Sequence, residues 1–440
     1  MKTKRVLILL FAFFALSIAF CSCTSDSEPA PTPEDSTLAE ATTEEATEAP
    51  APAELVLADN GESDFKVIRA EGAQGYYLDT ASAVYHKLKD TLSSSIKISE
   101  DWINPRDPLP EDAHEILLFS TNRAESVQAM EDLDFEGYII RVTDYKVVIV
   151  GSTPAACNEA LNNFFYSIIP AYTVNGKTAL PVGYEVKQEY KSSELDIAQV
   201  LSEGKTLCAG FKVVFNYPKQ DGFTAAQGSA TDGKYAYIVI KDGSGVREVD
   251  RVVKIDMETW KVVLESETLP LDHANDMTYD PKNNQIIVTN MYDNLVSIID
   301  PETLTLVEQK ALTYGTWASG YIEESDNFVF LAYGTPSGLV ITDKEFNPIR
   351  STVLASAPDY VGQGMDADNR FAYVPLSPDN GKKDNIIQIY DIKTGEYLGI
   401  ASVDTTMESE SMFHVGNDYY IHFNSNGSKI ATLEFYVRFE

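Results

Sequence analysis

Five polar residues recur in the second half of the chain, separated by 48, 44, 44 and 47 positions. Their amide, hydroxyl and carboxyl groups could hydrogen-bond to a polar ligand. Near them stand a histidine, a tryptophan and further acids, and an aromatic face beside polar groups suits the surface of a sugar. The recurring residues are Gln227, Asn275, Ser319, Gln363 and Glu410, and their neighbours are His273, Asp276, Trp317 and Glu408.

The same residues are consistent with roles other than ligand binding. Polar side chains that line a channel can satisfy one another and ordered water, and Trp317 is equally consistent with packing. Paired carboxyl groups could also catalyse sugar hydrolysis. The candidates for that role are Asp276, Asp366, Glu408 and Glu410. Because Glu408 and Glu410 flank one strand instead of facing each other, the sequence favours a protein that binds without catalysing.

The run from His273 to Asp276 is the richest in polar groups. It has no second histidine at metal-ligand spacing, so calcium held by Asp276 and backbone carbonyls is the only metal that it would suit. The sequence contains no nucleophile, phosphate-loop or dinucleotide motif. We therefore expect no metal or cofactor apart from this calcium.

These residues belong to an internal repeat. Acidic residues end strand-like runs at intervals of 44, 43, 48 and 43 positions, and an aspartate there can open a tight turn. Units of about 45 residues with three or four short strands are typical of propeller blades, so we predict an all-β five-bladed β-propeller over 205–440. A two-sheet sandwich is the alternative. The acidic residues are Asp256, Asp300, Asp343, Asp391 and Glu434.

Closure of the ring requires one more strand, because the fifth unit ends after its third. An unused strand, Phe211–Asn216, precedes the first unit. Pairing it with the last unit would remove two open sheet edges. We therefore expect the ring to be closed by this strand.

Strand and helix patterns alternate from Phe65 to about Pro181, which predicts a small α+β domain over 61–188. The runs 115–123 (EILLFSTNR), 137–142 (GYIIRV) and 147–151 (VVIVG), followed by a helix, resemble the accessory domain of glycoside hydrolases of the hexosaminidase and α-glucuronidase types. That domain is not catalytic in those enzymes, and no (β/α)₈ barrel follows here. The resemblance covers about a quarter of the chain, and it implies a carbohydrate context without implying glycosidase activity.

The first residues predict export. Three basic residues precede the apolar run Val6–Phe20, and Cys23 after Ser22 resembles a bacterial lipoprotein processing site. We interpret 1–23 as a lipoprotein signal peptide, with ordinary secretion as the alternative. The segment 24–60 has ten acidic and no basic residues and is predicted to be a disordered tether.

The charge balance excludes several classes of partner. With 34 Lys+Arg against 67 Asp+Glu, the chain carries a formal charge of −33. It should bind no nucleic acid and should meet a membrane only through its lipid anchor. Cys157 and Cys208 are expected to be small buried hydrophobic residues.

We therefore expect a lipoprotein outside the cytoplasm, anchored at the bacterial cell envelope, that binds a glycan or another small polar ligand at the channel mouth. Two alternatives are a protein-interaction or envelope-structural role and a carboxylate-dependent glycoside hydrolase or lyase.

If Cys23 carries the anchor, a fatty-acid analogue supplied to growing cells should label the wild type and leave Cys23→Ser unlabelled. Cys21→Ser is the matched control and should be labelled like the wild type. Label that persists in Cys23→Ser and disappears in Cys21→Ser would place the anchor on the other cysteine.

Overall fold

The computed structural model describes residues 53–106, 108–192, 195–220, 222–242, 249–290, 293–379 and 381–440. In these ranges the protein is mostly β, with many sheets and a smaller share of helix. None of the helices in the described part is long and apolar enough to cross a membrane. The predicted signal peptide, with Cys23, lies outside the described residues, as does most of the predicted tether.

The first region, up to residue 189, combines helices and strands. Its strands are β1 (Glu54–Asp59), β2 (Lys66–Arg69), β3 (Lys97–Glu100), β4 (Glu115–Leu118), β5 (Gly137–Val142), β6 (Lys146–Gly151), β7 (Thr173–Val174), β8 (Lys177–Pro181) and β9 (Glu185–Glu189). Its helices are α1 (Gly75–Thr91), α2 (Ala124–Glu131), α3 (Pro154–Asn163), which continues into a π-helical turn (Phe164–Ile168), and α4 (Ile169–Ala171).

A six-stranded sheet organises this region in the order β3-β2-β4-β6-β5-β9. The neighbours among β3, β2, β4 and β6 are parallel, and β5 pairs antiparallel with β6 and β9. Strands β5 and β6 form a hairpin, and the side chain of Thr153 caps the start of α3. Thr153 Oγ1 accepts the Ala156 N–H at 3.2 Å.

The predicted tether is too long at its carboxyl end. Residues Glu54–Asp59 form β1, which pairs antiparallel with β8. Leu55 and Leu57 alternate along this strand and both are buried, so the segment has an apolar face that the acidic composition of 24–60 concealed.

The second region is built from strands and one short helix, α5 (Ile197–Ser202). Its strands are β10 (Leu207–Pro218), β11 (Phe223–Thr231), β12 (Tyr235–Asp242), β13 (Asp250–Asp256), β14 (Lys261–Glu265), β15 (Ala274–Asp280), β16 (Gln285–Asn290), β17 (Leu295–Ile299), β18 (Leu306–Ala311), β19 (Gly315–Ile322), β20 (Asn327–Tyr333), β21 (Gly338–Thr342), β22 (Pro348–Thr352), β23 (Tyr360–Gly362), β24 (Asp366–Ala367), β25 (Phe371–Pro378), β26 (Asn385–Asp391), β27 (Tyr397–Val403), β28 (Glu408–Val415), β29 (Asp418–Asn424) and β30 (Gly427–Val437).

These strands form three four-stranded antiparallel sheets, β11–β14, β15–β18 and β19–β22, and one nine-stranded sheet that contains the remaining strands. The first strands of successive groups contact one another in a closed cycle. Strand β11 contacts β15 and β28, β15 contacts β19, β19 contacts β24, and β24 contacts β28. We call the line about which these five strands are arranged the axis. Apolar side chains such as Met277 and Met365 fill the spaces between neighbouring groups.

Strand β10 joins the last group of strands, as the sequence predicted for Phe211–Asn216. It pairs antiparallel with β30 along its length, from Leu207 opposite Val437 to Pro218 opposite Gly427. Its first residues also pair in parallel with β27. The amino-terminal strand of the region thus lies between two groups of strands from its carboxyl-terminal half.

Four of the five repeated acids form turns, as predicted. The side chains of Asp256, Asp300, Asp343 and Asp391 each accept backbone N–H groups two to four residues further on, at 2.7 to 3.0 Å. For Glu434 the sequence predicts the end of a strand and no turn, and this is wrong because Glu434 lies within β30. Its side chain accepts a hydrogen bond from Thr153 Oγ1 at 3.0 Å, in the other region.

The last residues of β30 and those that follow hold the two regions together. Phe439 is 3% exposed and belongs to the core of the first region, with its ring centroid 5.1 Å from that of Phe165. Its backbone N–H donates to Asn158 at 3.1 Å. Separate folding of 61–188 and 205–440 stays a prediction, and these contacts favour mutual stabilisation.

Phe439→Ala should therefore lower the free energy of unfolding by about 3–5 kcal/mol, because it empties a core position shared by both regions. Tyr166→Ala is the control and should lower the free energy of unfolding much less. It removes a side chain that is 63% exposed and lies on the same helical segment as Phe165. Urea denaturation measures both, and equal losses would show that Phe439 does not join the regions.

Candidate functional site

The predicted ring residues coincide with irregularities in the first strands. The register of β15 against β16 shifts between Ala274 and Asp276, which leaves Asn275 as the extra residue. In β28 a shift between Ser409 and Ser411 leaves Glu410 in the same role. Bulges of this kind re-aim side chains, and here they recur around the axis.

The predicted ring position in the third copy is wrong by two residues. In β19 the register shifts between Thr316 and Ala318, so Trp317 is the extra residue, whereas Ser319 pairs regularly with Phe330. The extra residues are therefore Asn275, Trp317 and Glu410, with the tryptophan in place of the serine. Gln227 lies in a wider irregularity between Ala226 and Ser229, and Gln363 lies between β23 and β24.

Asp276 occupies the axis and is completely buried. Its Oδ2 accepts the backbone N–H groups of Ser319 at 3.1 Å and Met365 at 3.0 Å, and its Oδ1 accepts the Ser411 hydroxyl at 2.6 Å. A Cβ atom on Gly228 in β11 would lie 2.4 Å from the Asp276 Cα, so β11 can pass this point only as glycine. The Asp276 carboxyl group thus connects β15 to β19, to β28 and to the residue before β24, while β11 packs against its backbone.

This environment also determines the charge of Asp276. Burial raises its pKa well above the usual range, and the hydrogen bonds from Ser411, Ser319 and Met365 oppose that rise. Both oxygens are used by protein donors and neither reaches solvent, so the carboxyl group predicted for calcium acts here as a structural centre. Among the described residues no group of three or more His, Cys, Asp or Glu side chains could hold a metal ion.

Except for Ser319, which lines a cavity at the opposite end of the first strands, the remaining predicted binding residues lie at the mouth formed by the amino ends of these strands. His273 hydrogen-bonds to Gln227 at 3.0 Å and to Lys241 at 2.7 Å. Asn275 Nδ2 donates to the carbonyl oxygens of Trp317 and Gln363 at 2.7 and 2.5 Å. Strands of different groups are therefore linked through side chains that the sequence had singled out.

Strand β28 carries two acids, Glu408 and Glu410, whose carboxyl groups interact. Glu410 is buried, and burial followed by the charge of Glu408 raises its pKa well above the usual range, against the effect of Asn424. Glu408 is exposed and accepts hydrogen bonds from Asn424 at 3.0 Å and Gln363 at 3.3 Å. This environment favours a protonated Glu410 beside Glu408.

Two buried polar atoms at this mouth lack partners within the described part of the chain. They are the indole nitrogen of Trp317, a donor, and Glu410 Oε1. The Trp317 ring is stacked on Tyr333, with centroids 5.8 Å apart and planes inclined by 13°. A fixed aromatic ring with an unused donor and a nearby carboxyl group can receive a polar molecule that also has a C–H face.

A cavity of about 230 Å³ lies at the opposite, carboxyl end of the first strands, beyond Asp276. It is lined by Asp366 and His414, whose Oδ2 and Nδ1 atoms are 2.7 Å apart. Burial lowers the pKa of His414, but the charge of Asp366 outweighs this effect and the pKa rises to about 9. Sequence reasoning placed function at the other mouth and did not pair these residues, which are 48 positions apart.

No protein-family model matches the chain, and no curated protein matches it. Solved structures do resemble it. A glutaminyl cyclase from Myxococcus xanthus matches with a TM-score of 0.41 and 12% identity over 53% of this chain and 99% of that chain. A Kuenenia stuttgartiensis hydrazine synthase matches with a TM-score of 0.30 and 15% identity over 47% of this chain and 57% of that chain. A chain of a nidogen/laminin complex matches with a TM-score of 0.29 and 11% identity over 40% of this chain and 63% of that chain.

The role of Asp276 can be tested by replacement. Asp276→Ala should lower the free energy of unfolding by about 3–5 kcal/mol, because it leaves three buried donors without their acceptor. These donors are the N–H groups of Ser319 and Met365 and the hydroxyl of Ser411. Asp276→Asn keeps an acceptor for the two N–H groups and should cost less.

The pH dependence separates the variants further. Since the folded-state pKa of Asp276 is raised, its contribution is greatest at low pH and is lost as pH rises above the unfolded-state value. Urea denaturation at about pH 5 and about pH 8 should show a smaller loss of stability with rising pH in Asp276→Asn than in the wild type. Identical pH dependence in the two proteins would contradict the assignment.

Proposed function

We propose that this protein is a lipid-anchored extracytoplasmic lipoprotein that binds a glycan or another small polar ligand at the mouth of a five-bladed β-propeller. The observation that carries the proposal is the pair of unpartnered atoms, Trp317 Nε1 and Glu410 Oε1, beside a fixed aromatic ring. Buried polar atoms without protein partners are expected where a ligand or an ordered water completes the hydrogen bonds.

The closed cycle of five first strands supports the five-bladed assignment. Three groups have four strands each, and the nine-stranded sheet divides at the short parallel contact between β27 and β10 into two further groups. In this division the last blade consists of β28, β29, β30 and β10. Closure by β10 then leaves no blade without an outer strand.

The mouth contains groups suited to a sugar. Trp317 would place its ring against C–H groups, and its indole N–H would donate to a hydroxyl oxygen. A protonated Glu410 and the neighbouring Glu408 and Gln363 would donate to and accept from other hydroxyl groups. The N-terminal resemblance to an accessory domain of glycoside hydrolases supports the same ligand class.

The Glu408–Glu410 pair also supports a second candidate, a carboxylate-dependent glycoside hydrolase or lyase. A carboxyl group that stays protonated can act as a general acid, and an exposed neighbouring carboxylate could assist it. The two acids, however, lie on one strand and not on opposite sides of a bound sugar, as glycosidases require. Binding without turnover is therefore the better-supported function.

Trp317→Ala should weaken ligand binding by an amount on the order of 1–2 kcal/mol without unfolding the protein. Trp102→Ala is the matched control, because Trp102 is 59% exposed in the first region, away from the mouth. A glycan array identifies a ligand, and calorimetry with that ligand measures the affinities. If Trp317→Ala and Trp102→Ala bind equally well, the mouth is not the site.

Glu410→Gln then separates binding from catalysis. In a binding protein the affinity should change modestly and no reducing sugar should be released by any variant. In a hydrolase the release of reducing sugar should fall by orders of magnitude while the ligand still binds.

A further inference from the structure

A large cavity lies away from both ends of the axis, between the two regions. It is a cleft of about 890 Å³ between the amino ends of α1 and α3 on one side and strands β10, β29 and β30 on the other. Ligand sites occur preferentially at such boundaries, and this volume lies within the range of about 300–1,000 Å³ that such sites occupy. The mouth residues discussed above do not line it.

Tyrosine side chains form much of the cleft wall. Tyr77 is 41% exposed, and its ring is held edge-on by Tyr76 at 5.0 Å and Phe119 at 5.2 Å. Tyr76 is itself fixed, because its hydroxyl donates to the Pro154 carbonyl at 3.0 Å and its ring lies 5.4 Å from that of Tyr436. The exposed face of Tyr77 is therefore presented by a rigid cluster to which both regions contribute.

The polar groups of the cleft also come from both regions. Burial raises the pKa of Glu434, whose carboxyl group is held by Thr153 at the start of α3. The charged lining contains four acids and two lysines, so the cleft would repel a polyanion. These residues are Glu136, Asp404, Asp418, Glu434, Lys191 and Lys212.

The cleft continues towards the axis. It shares Ser192 and Tyr419 with a neighbouring cavity of about 390 Å³. That cavity in turn shares Glu323 and His414 with the axial cavity of about 230 Å³. The three cavities thus follow one another from Tyr77 to the axis, and we refer to them together as the groove.

At its axial end the groove contains unused hydrogen-bonding groups. Ser229 and Ser319 are completely buried and line the axial cavity, and within the described part of the chain their hydroxyl groups have no partner. Both ends of the groove thus offer groups that a ligand could engage, with an aromatic platform at one end and hydroxyl groups at the other.

We propose that this groove is a second ligand site, which binds a neutral oligosaccharide chain with one unit stacked on Tyr77 and the chain directed towards His414. The aromatic face suits sugar C–H groups, the carboxyl and hydroxyl groups suit sugar hydroxyls, and the length suits several units. This site has the ligand class of the proposed function, but its residues are different and it lies on the other side of Asp276 from the mouth.

The test uses the full-length protein in mild detergent and calorimetry with chito-oligosaccharides and malto-oligosaccharides of increasing length. Affinity for one series should rise with chain length, since longer chains reach more of the groove. Tyr77→Ala should weaken binding of the longest chain at least about ten-fold, whereas Tyr77→Phe should retain the affinity because it keeps the ring.

Tyr145→Ala is the matched control, because Tyr145 is 42% exposed on the β5–β6 turn and does not line the groove. It should bind like the wild type, and thermal melting checks that Tyr77→Ala is folded. Tyr77→Ala should cause the same loss in a Trp317→Ala background, where the mouth is already impaired, which separates failure of the groove from failure of the mouth.

Three results would overturn the proposal. They are the same affinity in Tyr77→Ala and the wild type, no binding of either oligosaccharide series, and binding of an oligolysine peptide in preference to the sugars. The last result would identify the groove as a site for basic peptides.

Discussion

The hydrogen bonds of one buried carboxyl group hold the β region around its axis. Asp276 accepts from the backbone of Ser319 in β19 and of Met365 just before β24, and from the Ser411 hydroxyl in β28, while Gly228 in β11 makes room for its backbone. A buried polar group is stabilising only when its bonds are complete, so the positions of these strands are coupled to one another. The surrounding apolar packing between sheets then follows from that arrangement.

This centre also divides the axis into two chemically different ends. On one side Trp317, Gln363 and Glu410 lie at a mouth. There the Trp317 indole nitrogen and Glu410 Oε1 have no hydrogen-bond partner among the described residues. On the other side the strands end at a cavity with the Asp366–His414 pair, which opens towards the boundary with the first region. Any ligand at one end is therefore separated from the other by the buried Asp276.

Much of the architecture could be predicted because it depends on local chemistry. An aspartate that opens a turn needs only the next few residues, and so the repeat through Asp256 and Asp391 was visible in the sequence. Closure by β10 followed from counting strands. The position of Trp317 could not be found this way, because a bulge depends on the register with the neighbouring strand. The role of Glu434 was equally hidden, since its partner Thr153 is 281 positions away.

The most direct test of Asp276 as the centre is hydrogen exchange of the amides that it accepts from, those of Ser319 and Met365. Both should exchange only through global unfolding, at matching free energies, although Ser319 lies in β19 and Met365 precedes β24 in a different sheet. Replacing Asp276 by Ala should accelerate the exchange of both together. Rapid or unequal exchange of these two amides in the wild-type protein would contradict the account.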